Sequence, residues 1–254
     1  MVNLNITSPF NAPVYYKEIV TSTMDISREL AAAGKPHGTV IVSDFQQAGR
    51  GRNGRVWQMD SGENLSFTIL LRYSQIENIP KVLTLRAGLA VSFAIEYFAP
   101  SLKDKVQVKW PNDIIIYNKK AAGILCEAND SIVHAGIGIN IAQKKFPFEL
   151  REKATSIVLA LGTDIDTQKR FVLLEKTLEC LYRELENCKD WKTRIENRLY
   201  KKDEQALFLE GAAGSGKEIK GIIAGISKDG ELLIIPDGET KPQAFITGEI
   251  KLLT

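Results

Sequence analysis

The 254-residue sequence has little cysteine, little net charge and no long apolar run. Its three cysteines, Cys126, Cys180 and Cys188, are odd in number and show no C-x-x-C spacing. Reduced, buried thiols in a cytoplasmic protein are therefore expected. The formal net charge is +2, with the two signs interspersed, which argues against a surface built to coat nucleic acid. No segment reaches the roughly eighteen apolar residues of a membrane span, and "MVNLNITSPFNAPVYY" has no basic stretch ahead of an apolar core, so neither insertion nor secretion is expected. Repeats and low-complexity tracts are missing too. What remains is an ordinary globular composition, 44% apolar and 25% charged, enough for one sizeable domain and a small appendage.

After "STMD", whose Ser22, Thr23 and Asp25 suit a helix start, "ISRELAAAG" reads as a helix ended by Gly34. "TVIVSDF" and "NLSFTILLRY" read as strands, and Val82 to Phe98 carries apolar residues at helical spacing. "VQVKW", "DIIIY", "AAGILCE" and "IVHAGIGINI" are separated by turns too short for crossover helices, so an antiparallel meander is expected. One long amphipathic helix is expected from Asp166 to about Tyr200, its apolar stripe covering a sheet. Beyond it, glycine-punctuated β segments suggest a small barrel of the SH3 type. The expected division is a main domain over 1–201 and a β domain over 202–254. Phe171 and Trp191 read as core or rim, and His37 and His134 as structural or surface residues.

The densest motif is "QQAGRGRNGRVW", Gln46 to Trp57, with three glycines, three arginines and no acid. Gly49 to Gly54 spell G-x-G-x-x-G, but a loop and strand follow where a dinucleotide fold needs a helix, so that reading fails. "GAAGSGK", Gly211 to Lys217, imitates a phosphate loop until Glu218 stands where Ser or Thr is required, and a surface turn is the better reading. Glycines let backbone N–H groups approach an anion and arginines supply fixed, bidentate donors, so the Arg-Gly loop suits a phosphate or a carboxylate being joined to one. Such crowded charge is expected to repel itself and to be ordered by the ligand. In "AGIGIN", Gly136, Gly138 and Asn140 share one strand face, leaving a trough beside an isoleucine core face. That trough fits either a flat ring or another element packed closely on it. In "KWPND" Trp110 is expected to be extended ahead of Pro111. Lys120, ahead of small residues, reads either as a point charge for an anion or as a plain hairpin lysine.

The ordered set "STM", "QQAGRGRNGRVW", "KWPNDIIIYNKKAAGILCE", "AGIGINI" and "TGEI" resembles the biotin protein ligases (biotin–acetyl-CoA-carboxylase ligases) over nearly the whole chain. The resemblance implies an α+β fold, a mixed, largely antiparallel sheet packed with helices, and an SH3-like C-terminal domain. It implies that Ser22, Thr23 and Gln46 bind the ureido ring of biotin, with Met24 beside them. Met24 stands where Asn or Asp is usual, which leaves it a backbone contact. It further implies that Arg50, Gly51 and Arg52 close over the biotin carboxylate and the α-phosphate, and that Lys120 steadies both anions. Arg52 and Lys120 would be the catalytic pair. Arg55, Trp57, Asn112 and Asn140 would complete the adenylate side, Asn140 facing the adenine, with Asp113 bracing the floor beside Asn112.

The activity implied is formation of biotinyl-5′-AMP from biotin and ATP with Mg2+, then transfer to a lysine of a biotin carboxyl carrier protein. The magnesium ligands, the carrier's identity and the oligomeric state, a homodimer included, are left open. Only twenty-one residues precede Ser22, leaving no room for the helix-turn-helix domain that repressing members carry, so no DNA binding is expected. The rival readings are a lipoate-type ligase of the same fold and a non-enzymatic small-molecule or RNA-binding module.

Overall fold

A computed structural model describes residues 1–186, 189–211 and 216–252. Cys188 and residues 212–215 of "GAAGSGK", expected to form a surface turn, lie outside the described residues. The main sheet has eight strands: β1 (Val2–Asn3), β2 (Val14–Val20), β3 (Thr39–Gln46), β4 (Leu65–Arg72), β5 (Val106–Lys109), β6 (Asp113–Ile116), β7 (Lys119–Asn129) and β8 (Ile132–Ile139). Their order is β1-β2-β3-β4-β8-β7-β6-β5. Only β2 and β3 run parallel; the remaining neighbours are antiparallel, and β5 to β8 form the expected meander.

Helix α1 (Thr23–Ala32) connects β2 to β3, with the Ser22 hydroxyl accepting from Met24 N as its cap. Because side chains alternate along a strand, each face of the sheet has its own character. Phe67, Ile137 and Ile124 align across β4, β8 and β7, on the face where α2 (Leu83–Phe98) brings Gly88 against Ile114, Val108 and Ile124. Thr68, Gly136 and Leu125, and then Ser66, Gly138 and Gly123, form successive rungs of the opposite face, where α1 lies. One face is oily and closed by α2, while the other is lined with small and hydroxyl residues and stays open beside α1.

Two sequence expectations need correcting. The long helix expected over Asp166 to Tyr200 is broken into α4 (Arg170–Glu186) and α5 (Trp191–Glu196), after a separate short helix α3 (Ile157–Leu161). Asp190 lies just ahead of α5, and a short polar side chain of this kind competes with the helical backbone. Moreover α4 packs chiefly against α2 rather than on the sheet, so it forms a second layer. Ile76–Phe98, α2 with its leading turn, is also long and apolar enough by composition to cross a membrane, yet most of it is buried. It is the core helix. Phe171, Trp191 and Cys126 are partly buried against the core, and burial pushes the Cys126 thiol up to about 11.

A second sheet comprises β9 (Gln205–Glu210), β10 (Glu218–Ile226), β11 (Leu232–Pro236), β12 (Gln243–Phe245) and β13 (Gly248–Ile250), in the order β12-β11-β10-β9-β13. It is docked on the main sheet. The Trp110 indole donates to the Gly230 carbonyl at 3.0 Å, and Lys81 pairs with Asp229 at 2.9 Å. Gly230 has φ +88°, and a Cβ there would collide with Val82, so this turn can approach α2 only as glycine.

Candidate active site

Every residue singled out from the sequence as a binding or catalytic candidate lines one cleft of about 240 Å³ on the open face of the sheet. At its inner end the amide of Gln46, the last residue of β3, faces the cap of α1. Its Oε1 accepts from Thr23 N at 2.8 Å, Thr23 Oγ1 at 3.0 Å and Ser22 Oγ at 3.4 Å. Thr68 Oγ1 in turn donates to Thr23 Oγ1 at 2.9 Å. The Gln46 amide nitrogen points at Met59 Sδ, 3.9 Å away. A thioether is a weak acceptor, so this NH2 group is free to bond more strongly to a ligand carbonyl.

The Arg-Gly loop is a flap closed on itself. Gly51 N donates to Arg55 O at 2.7 Å and Trp57 N donates to Gly49 O at 3.0 Å, with Arg50 bridged to Val56. A Cβ on Gly49 would lie 2.6 Å from the Trp57 carbonyl oxygen, so glycine is what lets the two limbs meet. The sequence led us to expect uncompensated, mutually repelling arginines. The fold supplies the missing partners from distant segments: Arg50 bonds both carboxylate oxygens of Asp25 on α1, at 2.6 and 2.7 Å, and Arg55 pairs with Glu249 of β13 at 2.6 Å. Arg52 instead donates to the neutral Asn112 Oδ1 at 3.3 Å. Burial lowers the Arg52 pKa from its ordinary value, while hydrogen bonding to Glu249 raises that of Arg55. Arg52 is thus the flap cation least committed to a protein carboxylate.

Beneath the flap lies a chain of charges. Lys120 Nζ sits 2.6 Å from Asp113, and Lys109 Nζ lies 3.5 Å from Asp113 and 3.4 Å from Glu249. Burial works to raise the Asp113 carboxyl, but the ammonium groups of Lys120 and Lys109 overrule it and hold the carboxyl below its usual value. Burial opposes Glu249 in the same way, and Arg55 and Lys109 lower it. Lys109 and Glu249 lie inside "KWPND" and "TGEI", where neither stands out as a charged partner. The available signal was a lysine closing the apolar strand "VQVK": Lys109 is only 1% exposed, and a buried lysine requires partners.

At the outer end the Trp57 indole lies on the Gly138 and Gly123 backbone; a Cβ on Gly138 would fall 2.4 Å from the ring. Its Nε1 is buried with no hydrogen-bond partner among the described residues. Asn140, just beyond β8, donates from Nδ2 to Thr155 O at 3.0 Å while its buried Oδ1 lacks a partner among the described residues. Asn112 Nδ2 holds Ile124 O at 2.9 Å. The volume falls short of the roughly 300–1,000 Å³ typical of small-molecule sites. Met24 and Trp57 both lie in the trough. Among the described residues no three His, Cys, Asp or Glu side chains converge as a metal site would require.

The cleft combines a hydrogen-bonding inner end, cations at the middle and a ring-sized outer end. Such an order suits the joining of a polar cyclic acid to a nucleotide phosphate. The profile of the biotin/lipoate A/B protein ligase family matches residues 16–143. A bifunctional ligase/repressor BirA from Bacillus spizizenii is 42% identical over 159 residues, 59% of this chain and 48% of that protein. A biotin–[acetyl-CoA-carboxylase] ligase of Mycobacterium tuberculosis is 30% identical, over 59% of this chain and 56% of its own length. The chain spans about half the length of these curated relatives. Among solved structures, the biotin protein ligase of Aquifex aeolicus in complex with biotin and ATP superimposes with a TM-score of 0.77 at 30% identity, covering 94% of this chain and 97% of that one.

Proposed function

Given that the chain belongs to the biotin/lipoate A/B protein ligase family, we propose that it is an ATP-dependent biotin protein ligase. Biotin's carboxylate attacks the α-phosphorus of ATP; the new P–O bond forms as the α–β bridge breaks, and pyrophosphate leaves. Magnesium enters as part of the MgATP substrate. The ε-amine of a carrier-protein lysine then attacks the acyl carbon, forming the amide, losing a proton and expelling AMP. The acceptor is a biotin carboxyl carrier protein. Use of ATP is compatible with the cytoplasmic location expected from the cysteine pattern.

The residues divide the work. Ser22, Thr23 and Gln46 orient the ureido ring. Arg52 and Lys120 are the catalytic cations: two anions must meet, and fixed positive charge at the junction lowers that barrier by stabilisation and alignment. Arg50 and Gly51 cover the carboxylate. Trp57, Arg55, Asn112 and Asn140 hold the nucleotide, the unpartnered Asn140 Oδ1 being suited to an exocyclic amine. Residues 46–57 close over the acyl phosphate and keep water from it.

The observation that carries the reading is the single cleft in which the Ser22–Thr23–Gln46 cluster, the Arg52 and Lys120 cations and the Gly138–Trp57 shelf lie in sequence. Pyrophosphate release with MgATP tests it, with biotin and lipoate in separate arms. Turnover with biotin is expected. Turnover with lipoate alone would replace this reading with a lipoate ligase, and none with either would leave a binding module.

A further inference from the structure

Two side chains occupy the glycine face of β8, one to each rung. Trp57 covers the rung of Ser66, Gly138 and Gly123, and Met24 covers the rung of Thr68, Gly136 and Leu125. A Cβ on Gly136 would lie 2.8 Å from Met24 Sδ, so the thioether rests directly on the backbone of β8. Met24 is 3% exposed. Its backbone is fixed in the first turn of α1 by the Ser22 hydroxyl, 3.3 Å from Met24 N, whereas its unbranched side chain has three rotatable bonds and a polarisable sulfur.

The inner end of the cleft is therefore two-sided. Ser22, Thr23 and Gln46 present donors and an acceptor on one flank, and Met24 presents an apolar surface on the other. Hydrogen bonds fix the orientation of a cyclic head, but they do not limit its breadth on the side away from them. That limit has to come from whatever stands opposite. With glycine beneath and the helix cap behind, the standing group is the Met24 side chain.

We propose that Met24 is a specificity-determining residue: its thioether is the wall that sets how broad an acid's cyclic head can be. This rests on the biotin-activating reading of the cleft and assigns the side chain a task beyond the backbone contact implied by resemblance. An apolar wall discriminates a methylene-sized difference by roughly 10- to 200-fold. A flexible methionine sits at the permissive end of that range. Met24→Ala removes the wall, Met24→Leu conserves its volume, and Gly136→Ala pushes the flexible sulfur into the cleft.

The test is pyrophosphate release with biotin, the broader biotin sulfone and the slimmer dethiobiotin, compared as kcat/KM ratios. Met24→Ala is expected to lower kcat/KM for biotin and to raise the sulfone-to-biotin ratio by about ten-fold. Met24→Leu is expected to keep the wild-type ratios, and Gly136→Ala to shift preference towards dethiobiotin. Because the neighbour displaced in Gly136→Ala is the far end of a side chain, that variant tests the proposal even if Met24→Ala fails to fold. Ratios unchanged in both variants would overturn the proposal. So would a lower biotin KM in Met24→Ala, which would make Met24 a plug that the substrate expels. If the wild-type chain releases no pyrophosphate with biotin, the reading of the cleft falls and the proposal with it; if it does and only the ratios stay fixed, the proposal falls alone.

Discussion

Arg50 places one guanidinium nitrogen within 2.7 Å of both carboxylate oxygens of Asp25, the residue that follows Met24 on α1. A protein carboxylate thus holds the cation to which a substrate carboxylate is assigned. The pair is part-exposed, with side chains 38% and 29% accessible, and such pairs contribute about 0.2–1 kcal/mol. An incoming acid can therefore displace Asp25 at small cost. Asp25→Asn removes the competitor and should lower the biotin KM by at most roughly five-fold. The difference should vanish near about 1 M salt, where such pairs are screened. A raised KM would instead make Asp25 a support for the flap.

Arg52 differs from its neighbours in having a neutral partner, Asn112. Its loss should act on the intermediate more than on the fold. In Arg52→Gly one charge-assisted hydrogen bond, about 1.5–3 kcal/mol, is lost from the adenylate, which should escape roughly 10- to 150-fold faster. Biotinylation of lysines on unrelated proteins in the same tube should follow. Filter retention of labelled adenylate equal to wild type would contradict this.

Beside the role in the chemistry proposed for it, Lys120 pairs with Asp113 at 2.6 Å and so bears on stability. Asp113 is held below its usual carboxyl value by Lys120 and Lys109 against the opposing effect of burial. A depressed carboxyl stabilises the fold above its unfolded value, about 3.9, and that contribution is lost as pH falls through the folded value. In Lys120→Met burial meets less opposition, the carboxyl rises, and the acid loss of stability should begin at higher pH than in wild type. Thermal melts from about pH 3 to 8 should show this, with roughly 1–3 kcal/mol lost near neutrality. Adenylate formation should fall about 10²- to 10³-fold.

Gly138→Ala puts a Cβ 2.4 Å from the Trp57 indole, a rigid ring with nowhere to fold away. Displacing it should cost about 1–3 kcal/mol, read as a roughly 5- to 150-fold rise in the ATP KM. The biotin KM should change far less, because Gly138 lies one rung away from the Thr68–Gly136 rung beneath Met24. Equal effects on both would mean that the shelf under Trp57 is not a nucleotide site.

Much of this was legible from local pattern. β-branched runs marked β3, β4 and the meander, and the Ser22 cap marked α1, because those features arise from neighbours in the chain. The alternation of "AGIGIN" foretold an oily face and a trough; it did not foretell that Met24 and Trp57 would fill the trough, since packing of side chains from other segments leaves no mark on the strand itself. The same holds for charge. "QQAGRGRNGRVW" looked unbalanced because Asp25 and Glu249 lie elsewhere, the latter 194 residues from Arg55. The break between α4 and α5 left little mark because apolar residues continue past Asp190, and the helix preference of any one such residue is weak.

Glu249 brings a timing constraint with it. Lys109 closes β5 of the main sheet and takes one of its two carboxylate partners from β13, so the emerging polypeptide cannot finish neutralising the floor of its cleft until residue 249 has left the ribosome. Any fragment stopping short of that point begins life with an ammonium ion deprived of one of its counter-ions. In such a fragment Asp113 alone is left to pair with Lys109.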